Sequence, residues 1–109
     1  MAIAQYWQRG ESIDFKNDGT VAIKHGDVIP VGNRIGIAGC DILPGAMGSL
    51  HVTGVFIMPK ATGAVTLGDE LYWDTGSANI TATAGSNVPA GWAVAAAAAG
   101  DATIYVKIG

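Results

Sequence analysis

Gly26-Asp27-Val28-Ile29-Pro30-Val31-Gly32-Asn33-Arg34-Ile35-Gly36-Ile37-Ala38 is the stretch that decides the fold class. Two short runs of β-branched residues flank Gly32-Asn33, a two-residue loop of types that tolerate positive φ, which is the pattern of a β-hairpin. Gly26-Asp27 opens the first run as a tight turn, because glycine takes positive φ and aspartate bonds to nearby backbone amides. Pro30 cannot donate to a ladder, so its strand belongs at a sheet edge or a bulge.

The same grammar continues in both directions. Ser12-Ile13-Asp14-Phe15 alternates polar and apolar, Asn17-Asp18-Gly19 supplies a turn, and Val21-Ala22-Ile23 resumes the strand pattern, so a hairpin is expected there as well. Leu50 to Met58 reads as the longest strand, ended by Pro59. Leu71-Tyr72-Trp73 is closed by Asp74-Thr75-Gly76-Ser77, Ile80 to Thr83 alternates, and Ala102 to Ile108 ends the chain with Ile104, Val106 and Ile108 on one side. Residues 84-90, with Gly85, Ser86, Asn87 and Pro89, read as an exposed loop. Ala95 to Ala99 has helix propensity but is too short to nucleate alone, so it reads as a strand end passing into a turn. The expectation is all-β: one small domain over 1-109, a β-barrel or β-sandwich of short antiparallel strands, with residues 1-10 as a docking arm.

A spacing suggests internal duplication. Gly36-Ile37-Ala38 is followed nine residues after its glycine by Gly45, and Gly91-Trp92-Ala93 nine residues after its glycine by Gly100. Upstream of them lie Gly26-Asp27 and Gly68-Asp69, each followed by an apolar strand. Two related units, about Val21 to Phe56 and Val65 to Ile108, account for this, the second carrying extra residues between 74 and 89.

Composition bounds the function. With 109 residues there is room for one core, and charged residues make up 14% of the chain against about 25% in a typical domain. Six Lys plus Arg against nine Asp plus Glu, and a pI near 5.0, leave no cation excess for a nucleic-acid backbone. No stretch approaches the ~20 apolar residues of a membrane-spanning helix, and the first residues lack the basic and apolar regions of a secretory signal.

Candidate chemistry is sparse. His25, His51 and Cys40 lack the local spacing of a zinc site, and Cys40 has no base and orienting group beside it, so these residues read as ordinary histidines and a partly buried thiol. Asp27, Asp69 and Asp101 each follow a glycine and read as turn residues, although acid/base pairs or calcium ligands have the same residue type. Asn79-Ile80-Thr81 matches the glycosylation acceptor pattern by coincidence. Trp7, Trp73 and Trp92 read as core or interface anchors, with Trp7 the least fixed; stacking on carbohydrate is the alternative. No catalytic, metal or cofactor residue is assigned.

Gln8-x-Gly10, Gly26-Asp27-Val28, Gly36-Ile37-Ala38, Gly54-Val55-Phe56-Ile57-Met58-Pro59-Lys60, Gly68-Asp69-Glu70-Leu71-Tyr72-Trp73-Asp74, Gly91-Trp92-Ala93 and Gly100-Asp101, in this order, resemble the DUF2190 family over essentially the whole chain. These are capsid decoration (cement) proteins of tailed bacteriophages. The resemblance implies a homotrimeric structural protein of the virion, made in the bacterial cytoplasm and bound to the outer surface of the major capsid protein lattice. It implies no catalytic residue, so with the charge and hydropathy above the expectation is no enzyme, no cofactor, no nucleic-acid partner and no membrane. The Ala2 to Arg9 segment is the expected capsid-docking element. The alternatives are a carbohydrate-binding virion or tail surface module using the tryptophans, and a small hydrolase using Cys40, His25 or His51.

Overall fold

The computed structural model describes residues 3–6 and 8–109. Those residues form nine strands and no helix: β1 Ser12–Lys16, β2 Val28–Val31, β3 Arg34–Ala38, β4 Met47–His51, β5 Gly54–Pro59, β6 Glu70–Asp74, β7 Asn79–Thr81, β8 Val88–Ala93 and β9 Thr103–Ile108. They make two antiparallel sheets, in the orders β1-β4-β3-β2 and β5-β9-β8-β6-β7. The all-β, sandwich-like expectation is met.

The deciding hairpin forms as read. Val28 pairs with Ile37 and Val31 with Arg34 across Gly32-Asn33, and β2 is an outermost strand, which accommodates Pro30. The earlier hairpin does not form. β1 pairs instead with β4, Ile13 opposite Leu50, and of Val21 to Ile23 only Ile23 makes a bridge, to Ile42. The cause is Asn17, which is buried and donates its side-chain amide to the carbonyls of Val21 at 2.9 Å and Ile42 at 3.0 Å. That side chain ties the chain down where a free turn was expected.

The long strand from Leu50 to Met58 is in fact two. It breaks at Val52-Thr53, and Gly54 at φ 125° redirects the chain from the first sheet into the second. Val88, Pro89 and Ala90 belong to β8, so the exposed loop shortens to the turn at 84–87, closed by Asn87 N–H donating to the Ala84 carbonyl. The alanine run is not helical; Ala97 bridges to Val65 before the chain turns.

The strand order bears out the duplication and moves its limits. β1-β4-β3-β2 corresponds to β5-β9-β8-β6, so the repeated units are β1 to β4 and β5 to β9, and the insertion is β7. The equivalences hold residue by residue. Gly26 N–H donates to the Ala38 carbonyl as Gly68 N–H does to that of Ala93, and Ala38 and Ala93 donate back to Asp27 and Asp69. The three Gly-Asp turns are built alike: the N–H of Lys24, Thr66 and Ala98 donates to the carboxylate of Asp27, Asp69 and Asp101 at 2.9, 2.8 and 2.8 Å.

The units share one core unequally. Met58, Leu71, Trp73, Ile80, Ala93, Ile104, Val106 and Ile108 of the second unit form most of it, and Ile35 and Ile37 of β3 pack onto them. Ile104, Val106 and Ile108 are 0 to 1% exposed, as the alternation in β9 requires. The second sheet curls until Ala61 N–H donates to the Ile80 carbonyl at 2.8 Å, which brings the chain after β5 against β7.

Candidate docking surface

Alternation in the second sheet determines its outer face. Because Leu71, Ala93 and Val106 point inward, their neighbours Glu70, Trp92 and Lys107 point outward, and the register aligns Glu70, Trp92, Lys107 and Val55 across β6, β8, β9 and β5. One step along, Ile57 lies opposite Tyr105. Val55, Ile57, Trp92 and Tyr105 are 43 to 62% exposed. Val55, Ile57 and Tyr105 adjoin, and Lys107 stands between them and Trp92, so the face alternates apolar and charged side chains.

This face runs into a cleft of about 640 Å³ at the seam between the sheets. Ile13, Ile35 and Val52 line it from the first unit, and Leu71, Tyr72 and Trp92 from the second. Arg34, Glu70 and Lys107 are its charged members. Tyr72 O–H donates to Glu70 Oε2 at 3.2 Å, and that bond to a carboxylate raises the phenol above its ordinary 10.0, with desolvation and the charge of Glu70 adding to it.

The molecule measures 45 × 42 × 22 Å. A folded monomer of its mass exposes about 5,700 Å², and this chain exposes 6892 Å².

Two buried polar side chains occupy equivalent places in the units. Asn17 follows β1, and its backbone N–H donates to the Ala46 carbonyl; Lys60 follows β5, and its backbone N–H donates likewise to that of Ala102. Asn17 bonds to two carbonyls, and Lys60 Nζ donates to Ala61 O at 2.9 Å and Ala99 O at 3.3 Å. Each holds a strand end to the chain crossing it.

The residues weighed for chemistry are dispersed. His25 is exposed in a turn, with its backbone N–H on Asp41 Oδ1, and Cys40 is half-buried. His51 is half-buried with its ring 6.2 Å from that of Phe56. Among the described residues no three His, Cys, Asp or Glu side chains group as a metal site. Asn79 is half-buried in β7, with an unpartnered buried Oδ1. Of the two tryptophans expected in the core or at an interface, Trp73 is 7% exposed and belongs to the core, and Trp92 is 43% exposed and lies outside it. Trp7 lies outside the described residues. The sequence reading missed the outward roles of Val55, Ile57, Tyr105 and Lys107, although the alternation of β5 and β9 contains that signal.

Such a chain is equipped to adhere, with apolar and charged side chains alternating on one face of a thin β-plate, and its class is that of an assembly module. The comparison with protein families makes this specific: the family described as phage cement protein matches residues 7–108, and the chain belongs to it. Its role is therefore that of a cement protein, which decorates the phage capsid. No curated protein and no solved structure matches the chain.

Proposed function

We propose that the protein binds the outer surface of the assembled head as a homotrimer, seated on the major capsid protein lattice, and stabilises the shell by contact, without turnover. On this reading residues 1–109 are one domain, and residues 1–10 serve as a docking arm. The observation that carries this is the outward exposure of Val55, Ile57, Trp92 and Tyr105 on one sheet face of a chain already assigned to the cement family. Binding only to the assembled lattice shifts the shell toward its decorated state by mass action.

Particles lacking the protein are expected to assemble but to lose DNA at lower temperature or milder osmotic shock than decorated ones; equal survival refutes the stabilising role. Adding wild-type protein back should restore resistance, and an Ile57→Asp/Trp92→Glu protein with an unchanged circular dichroism spectrum should not. Glycan-array binding without capsid binding would favour the carbohydrate module.

A further inference from the structure

We infer that the cavity beside Lys60 is a binding site for a single carboxylate group. It shares no lining residue with the seam cleft, and it stands independently of the docking proposed above.

Lys60 places a charge where a neutral group would do. It is 9% exposed, and it follows β5 as Asn17 follows β1. In the first unit the uncharged Asn17 amide holds the crossing chain by donating to two carbonyls. In the second an ammonium does this, and burying an ammonium is costly unless an opposite charge or full hydrogen bonding offsets it. Neither is complete here. Among the described residues the ion pairs are Arg9 with Glu11 and Lys16 with Asp18. Asp101, in the turn that supplies the Ala99 carbonyl, has its carboxylate on the Ala98 N–H at 2.8 Å. Of the three N–H donors of the ammonium, one meets Ala61 O at 2.9 Å. A second meets Ala99 O at 3.3 Å, and that oxygen already accepts from the Gly63 N–H. The third has no acceptor among the described residues.

The surroundings select the anion. Lys60 and Ala61 form part of the wall of a cavity of about 180 Å³, with buried Val65 and Ile80 behind it and exposed Thr62 and Thr83 leaving it open to the surface. That volume holds a carboxylate with a short stem, being several times the ~30 Å³ share of a water molecule. Lys60 is the only titratable residue in the lining, so one negative charge is matched and a phosphate dianion is not. The Thr81 hydroxyl accepts from the Thr83 N–H at 3.2 Å, which leaves its own proton to donate to a second oxygen. Small apolar residues, Ala61, Ala64 and Ala82, suit the hydrocarbon stem. A free small acid and an acidic side chain on a neighbouring protein present this same group.

The test titrates acetate into isotope-labelled full-length protein at constant ionic strength, with chloride as the anion replaced. Saturable amide shifts are expected at Thr62, Gly63 and Thr81, and phosphate should bind more weakly. Lys60→Gln, which keeps an N–H donor but removes the charge, should weaken acetate about tenfold or more, as loss of a charged hydrogen bond does. If that variant fails to fold, Thr83→Asp, an exposed change that tethers a carboxylate at the mouth, should fill the site and weaken acetate comparably. Shifts no larger than those given by chloride overturn the inference, as does a Lys60→Gln or Thr83→Asp protein that titrates like wild type. The salt needed to strip protein from particles then separates the sources. Earlier release of Lys60→Gln puts the carboxylate on a neighbouring chain, and equal release with the acetate response intact makes it a free acid. Protein that never binds particles refutes the docking reading and leaves the acetate result standing.

Discussion

The two units follow one plan and differ in what they enclose. The first, β1 to β4, is an open sheet whose β3 lends Ile35 and Ile37 to its neighbour's core; the second, β5 to β9, adds β7 and curls around Trp73, Ile80 and Val106. Their equivalent glycines express the difference. Gly36 lies opposite Ile29 as Gly91 lies opposite Leu71, and neither leaves room for a Cβ. At Gly36 the added atom would meet the Leu50 side chain at 2.5 Å, but at Gly91 it would run into the Lys107 carbonyl. A copied backbone position is thus hemmed in by a side chain in one copy and by backbone in the other, and the second copy also supplies most of the shared core.

Substitutions at matched positions can break this comparison. Trp73→Ala should cost ~3–5 kcal/mol, since it empties the centre of the curled sheet; chemical denaturation at wild-type strength would make the first unit the stable one. Gly91→Ala should destabilise more than Gly36→Ala, because a backbone carbonyl cannot move aside as a leucine can, and the milder change should cost about 1–3 kcal/mol. Equal melting shifts would erase the distinction between the units. Asn17→Ala should cost about 1–3 kcal/mol, because it strands the buried Ile42 carbonyl and frees the partly buried one of Val21. Lys60→Met, its counterpart, should cost a similar amount, and a gain in stability there would show that the lysine is retained for something other than folding. The smallest effect is spectroscopic. The Tyr72 phenol should titrate above 10.0 and Glu70→Gln should lower it, as read by absorbance of the phenolate. Any stability tied to that proton is intact below the ordinary tyrosine range and fades as pH rises through the folded value.

The sequence carried the parts of this fold that rest on local chemistry. Gly-Asp turns and the hairpin at Gly32-Asn33 are decided within a few residues, so they were legible, and so was the duplication that repeats them. Val21 to Ile23 was misread because the side chain of Asn17 reaches Ile42, a contact 25 residues away. The break within Leu50 to Met58 was hidden because an apolar run looks the same whether it stays in one sheet or crosses to the next. For Trp92 the sequence leaves core and interface open, and Ala93, its fully buried neighbour, decides against the core by requiring Trp92 to face out. The cleft was not legible, since its walls come from both units and meet only after the sheets pack.

Pro30 has a consequence at the scale of the virion. Many copies held side by side on a shell reach a local concentration at which open sheet edges become templates for fibre growth. β2 is such an edge, and its proline removes a donor from the row that a stray strand would pair with. At the far edge of the other sheet, β7 is only three residues long. Two of the four outermost strands, β2 and β7, thus offer crowded copies little to pair with, which leaves β1 and β5 as the borders at which running together into filaments would begin.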